Sequence, residues 1–184
     1  TLQNQQSLKP DRSYLAGNLA DGCNRLIDAQ AARGLLDSAQ TQARLRLLIA
    51  GNFVTTARRL AAAANLEDSF FRPGSAEQQA QALVTRGKSD LAGALAQLAG
   101  NSQLTKAQRG FVYGQLGLLA ARRLDMATAL DAYGQADPAQ LNDEQWEWWL
   151  RAALRQEDWA RVEQIANAMP AELAAKPAWQ YWRA

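Results

Sequence analysis

A two-helix unit recurs along this chain, and it limits the fold more than any other feature. Four segments share it: "ARLRLLIAGNFVTTARRLAAAA", "QALVTRGKSDLAGALAQLAG", "GQLGLLAARRLDMATALDAYGQA" and "WWLRAALRQEDWARVEQIANAMP". Each has an apolar helix, a short polar turn, and a second helix opened by a large residue: Phe53, Leu91, Met126 or Trp159. The openers lie 33 to 38 residues apart, within the period of helical-hairpin repeats. The second helices carry apolar residues at helical spacing. The sets are Phe53, Ala57, Leu60, Ala61 and Ala64; then Leu91, Ala94, Leu95 and Leu98; then Met126, Ala129, Leu130 and Tyr133. Each set makes one stripe on one helix face. A hairpin with a single stripe cannot bury it alone, so several must stack. The expected fold is all-α: a right-handed superhelix of stacked, tetratricopeptide-like hairpins (an α-solenoid).

Local punctuation agrees. Ser75 with Gln78, Thr105 with Gln108 and Asn142 with Gln145 match the capping box, in which cap side chain and backbone satisfy each other at a helix start. Gly51, Gly100, Pro138 and Pro170 mark stops. The expected organisation is a connecting helical segment over 1–22 and hairpin repeats over 23–184, continuing past the C-terminus in a parent protein. That continuation is expected because Pro177 opens another helical turn, and Trp179 and Trp182 would share a face that a following helix must cover.

Composition narrows the chemistry. Histidine is absent, which removes the commonest general base and zinc ligand. No metal-ligand spacing occurs, and no cofactor is expected. The net charge of +2 is spread among interspersed charges, 21% of residues, so no basic stripe marks a nucleic-acid surface. No apolar run has bilayer length. The single cysteine, Cys23, closes no disulfide within the chain. It reads either as a small buried residue at a helix start or as half of a disulfide with an upstream partner. The "AGNLADG" stretch has no strand before it and is not a phosphate loop.

All six tryptophans fall in the last third. Trp146, Trp149, Trp159, Trp179 and Trp182, with Tyr181, read as helix-packing anchors or as a glycan-facing surface; packing is the commoner role of such side chains. The carboxylate pairs Asp143–Glu144 and Glu157–Asp158 sit at helix starts, where the dipole favours them; they read as caps rather than as an acid–base pair.

The stretch "DGCNRLIDAQAARG…ARLRLLIAGNFVTTARRLA" resembles the helical region of soluble lytic transglycosylases. The carrying positions are Cys23, Asn24, Arg25 and Leu26, then Arg44, Leu45, Arg46, Ala50, Gly51 and Asn52. The tail is similar too, through Pro170, Lys176, Trp179, Tyr181, Trp182 and Ala184. The resemblance covers residues from about Asp21 onward, with a looser middle. It implies the non-catalytic superhelical scaffold of a periplasmic enzyme, an open fragment of a ring. It implies a parent that cleaves MurNAc–GlcNAc bonds of peptidoglycan and leaves 1,6-anhydromuropeptides. It implies as partners peptidoglycan strands, through the parent, and the catalytic and linker domains of the same chain. The family's catalytic Glu lies in an "E-S-x-F" motif followed by "G-L-M-Q". Here "NLEDSFF" has Asp68 inserted between Glu67 and Ser69 and no "G-L-M-Q" after it, so no catalytic residue is expected in this chain. The resemblance also implies that Cys23 pairs with an upstream cysteine. The alternative is a tetratricopeptide-like adaptor for a peptide or protein partner, which would need basic side chains such as Arg46, Arg86 and Arg122 as a clamp.

Overall fold

The computed structural model describes residues 12–183, apart from the side chains of Ser13 and Arg183. Among these residues the chain is all-helical and no strand occurs, as the periodicity requires. No helix among them is long and apolar enough to cross a membrane. The chain divides between Phe70 and Phe71 into two units.

The first unit opens with a 3-10 turn, Arg12–Leu15. Three helices follow: α1 (Asp21–Ala32), α2 (Ser38–Ala50) and α3 (Val54–Ala63). A short α4 (Glu67–Phe71) runs across the division. α3 packs on both α1 and α2, and α2 also meets the 3-10 turn. Leu15, Ile27, Leu45, Leu48, Ala57 and Leu60 are buried in this unit. Of the connecting segment expected over 1–22, residues 1–11 lie outside the described residues. Helix α1 already begins at Asp21, so Cys23 and Asn24 belong to its first turn.

The second unit contains α5 (Ala76–Gly87), α6 (Leu91–Ala99), α7 (Lys106–Arg122), α8 (Met126–Gln135), α9 (Asp143–Arg155) and α10 (Trp159–Ala168). It closes with two four-residue helices, α11 (Ala171–Ala174) and α12 (Pro177–Gln180). Three hairpins result: α5 with α6, α7 with α8, and α9 with α10. The leading helices also pack on one another, α5 on α7 and α7 on α9. The stripe of α8 is wholly buried: Met126, Ala129, Leu130 and Tyr133 are each 5% exposed or less.

The turns repeat one solution. At the end of α7, Leu124 N–H donates to Ala121 O and Asp125 N–H to Ala120 O. At the end of α9, Glu157 bonds to Leu154 and Asp158 to Ala153; at the end of α2, Asn52 bonds to Ile49 and Phe53 to Leu48. These are Schellman motifs, which satisfy the last carbonyls by placing one residue in the left-handed region. Asn52, Leu124 and Glu157 hold that conformation, with φ of 64°, 65° and 54°. The next residue starts the following helix. Asp125 accepts from Thr128 N–H at 3.1 Å and Asp158 from Arg161 N–H at 3.1 Å; Asp90 does the same with Gly93 N–H at 2.8 Å. Leu124 is 60% exposed, so its side chain supplies little packing against a backbone cost of about 1–2 kcal/mol. Leu124→Gly is expected to raise stability by about 0.5–1 kcal/mol, after glycine's own entropic cost; thermal melts check it.

Two expectations need correction. Thr105/Gln108 and Asn142/Gln145 form full capping boxes, but at Ser75 only half of one exists. Gln78 instead accepts from Gly74 N–H and donates to Phe71 O, because its amide reaches the preceding turn. A further full box forms at Asp37/Gln40. Phe53 is not part of the buried stripe. It stands before α3, 41% exposed. Its ring lies over Gly51, where a Cβ would come within 2.9 Å of it.

Candidate functional site

The motif residues of the first unit form a buried polar tie. Arg44 lies on the packed side of α2 and is 1% exposed. Its Nη2 donates to Asn24 Oδ1 at 2.6 Å and its Nη1 to Ala16 O at 2.9 Å. Asn24 in turn donates to Leu19 O at 2.7 Å and Asn18 Oδ1 at 3.2 Å. Burial lowers the pKa of Arg44, while the charge of Asp28 acts the other way. Arg59 bonds Asp28 at 2.5 Å and Asp21 at 3.1 Å. These bonds tie α1, α2, α3 and the turn before them together. Cys23, beside Asn24, is exposed and unpaired within this chain. The expectation of a small buried cysteine at the helix start therefore fails: Asn24 takes the inward position and Cys23 faces out.

The aromatics of the second unit separate by role. Trp146 is 2% exposed and Trp179 is 6% exposed. Trp149 is half-buried, 5.3 Å from Trp146 and stacked 5.8 Å from Tyr133. Trp146 and Trp179 are buried in the packing, whereas Trp149 keeps part of its surface exposed. Trp159 is 58% exposed and Tyr181 77% exposed. Trp182, half-buried, stacks on Trp159 at 6.2 Å and meets Tyr181 edge-on at 5.0 Å. Trp179 and Trp182 do not share one bare face. The chain turns from α12 into a 3-10 turn at Tyr181–Arg183, which sends Trp179 onto α9 and Trp182 onto Trp159. Arg151 covers Trp179 with its guanidinium 5.0 Å from the ring centre, and lies 5.5 Å from Trp148.

Glu147 anchors that arrangement, bonding Arg151 and Lys176 at 3.1 Å each. Burial pushes its carboxyl pKa up, but the hydrogen bonds and charges of Lys176 and Arg151 outweigh this and hold it below the ordinary value. A lowered folded pKa stabilises the native state above the unfolded carboxyl range, and that contribution is lost as pH falls through the folded value. Glu147→Gln should therefore flatten the acid limb of the stability curve below pH about 4.5, measured by denaturant titration at several pH values.

A cleft of about 410 Å³ lies among α8, α9, α10 and the turn after α8. Leu130, Pro138 and Ile165 form apolar wall, Trp149 an aromatic one, and Asp131, Arg161 and Gln164 supply polar groups. Arg161 is held by Asp158 at 3.2 Å. Gly134 also lines the cleft, and a Cβ built there would meet no atom within 4 Å. The sequence marks Leu130 as a stripe position, Pro138 as a helix stop and Trp149 as an aromatic candidate. Asp131, Arg161 and Gln164 come from two helices at unrelated spacing, so no linear motif marks them.

The carboxylate pairs read from sequence do not form a site. Asp158 caps α10, Asp143 and Glu144 occupy the first turn of α9, and Glu157 occupies the left-handed turn position. Glu67 is exposed in the first turn of α4. No cluster of metal-capable side chains occurs among the described residues. The basic residues expected of a peptide clamp are engaged with their own neighbours. Arg46 bonds Gln42, Arg86 bonds Asp90 and Gln97, and Arg122 bonds Glu144. No family model matches this chain, and the search of curated proteins finds no match either.

Proposed function

We propose that this chain is a non-catalytic superhelical scaffold region of a periplasmic lytic transglycosylase. The parent enzyme would open MurNAc–GlcNAc bonds of peptidoglycan to 1,6-anhydro ends. The observation that carries this reading is the buried Arg44–Asn24 bond. It joins two of the three groups of positions on which the resemblance rests, the one at Cys23–Leu26 and the one at Arg44–Asn52. Hairpins whose leading helices pack α5 on α7 and α7 on α9 support the finer fold: a right-handed, tetratricopeptide-like superhelix forming part of a ring. In this reading the acid–base glutamate, the lysozyme-like domain and the linker belong to the rest of the parent, and glycan strands reach this region as part of the whole enzyme. Arg46 is buried, and Arg86 and Arg122, though exposed, are engaged with Asp90, Gln97 and Glu144, which disfavours the adaptor reading.

Two measurements test the proposal. Incubated with purified peptidoglycan sacculi, the isolated chain is expected to release no anhydromuropeptides by mass spectrometry. Release would overturn its non-catalytic role. The gene downstream of Ala184 is expected to encode further helices, then "E-S-x-F" and "G-L-M-Q". A stop codon directly after Ala184 would sink the scaffold reading and favour the adaptor.

A further inference from the structure

We propose that the cleft among α8, α9 and α10 is a binding subsite for one pyranose ring of a neutral saccharide. The inference deepens the scaffold reading and rests on it for the choice of sugar, while the chemistry of the cleft argues independently for the ligand class. The lining holds one carboxylate, Asp131, and one guanidinium, Arg161. Arg161 is already paired with Asp158, so an anion finds no free cation there. A single carboxylate is too few for a divalent cation. A wholly apolar ligand would strip water from Asp131, Arg161 and Gln164 without replacing their hydrogen bonds. An extended peptide needs a row of backbone partners, and three walls of the cleft are helices that consume their own.

A pyranose meets each requirement. Its hydroxyls both donate and accept, matching an acceptor at Asp131, a donor at Arg161 and both at Gln164. Its C–H face suits the wall formed by Trp149. That indole is packed against Tyr133 and Trp146, so little side-chain entropy remains to be lost on binding. The volume of about 410 Å³ lies within the range of small-ligand clefts.

Gly134 provides a blocking variant that spares the fold. It lines the cleft, lies one residue before the end of α8, has no positive φ, and its Cβ would enter open space. Gly134→Phe is expected to fill the cleft without lowering Tm. The test is a titration of the ¹⁵N-labelled full chain, followed by NMR, with a tetramer of N-acetylglucosamine and separately with maltotetraose. Saturable shifts of the Trp149 indole and Gln164 amide are expected, with Kd in the range of about 0.1–10 mM, weakened at least about tenfold in Gly134→Phe. Binding of maltotetraose alone would uphold a saccharide subsite while removing support from the scaffold reading. No saturable shift with either sugar, or equal affinity in a folded Gly134→Phe, would overturn the subsite and leave the scaffold reading to the gene-level test.

Discussion

Arg44→Met is expected to remove about 2–4 kcal/mol from the stability of the first unit, because each acceptor left without its donor costs about 1–3 kcal/mol. The guanidinium is 1% exposed and donates to Asn24 Oδ1 and Ala16 O. Methionine fills much of the volume but leaves the buried Asn24 oxygen and the part-buried Ala16 carbonyl without those donors, which is where most of the loss arises. Arg44→Lys should also destabilise, though less, because a point ammonium cannot span two acceptors as a planar fork does. Hydrogen exchange reads the result locally: protection in α1 and α2 should collapse first in both variants. A methionine variant as stable as the wild type would show that the tie contributes packing only, and would remove the structural reason for the paired motif.

Trp146→Ala is expected to cost about 3–5 kcal/mol in the second unit, as for large aromatic truncations in cores. Trp146 is 2% exposed and meets Trp149 at 5.3 Å, which stacks in turn on Tyr133. The cavity would open at the centre of the cluster that also holds Leu141, Leu150 and Ile165. Trp146→Phe should cost much less. The indole Nε1 is buried with no hydrogen-bond partner, so phenylalanine loses volume yet also removes a desolvated donor. Urea midpoints of the two variants separate these terms. Equal losses would mean that the N–H is satisfied and that shape alone does not decide the site.

Much of the helical scaffold was legible because its causes are local. The openers Leu91, Met126 and Trp159 begin α6, α8 and α10 as the periodicity placed them. The boxes at Thr105 and Asn142 formed because both partners lie within one turn. Phe53 was misplaced for an equally physical reason. Its spacing fits the stripe, but a left-handed Asn52 redirects the chain and the ring settles over Gly51. Likewise, Trp179 and Trp182 have the spacing of a shared face only if the helix continues, and it tightens into a 3-10 turn at Tyr181.

The sequence by itself determined the helices, most of their starts and the apolar stripe of α8, since capping and periodicity act over one or two turns. Only the tertiary structure decided that Arg44 and Asn24 meet, that Arg151 covers Trp179, and that Asp131, Gly134, Trp149 and Gln164 line one cleft. Those groupings bring together residues distant in sequence. They depend on how helices approach one another, and helix approach is set by side-chain shape across the whole core rather than by the pattern within any one segment.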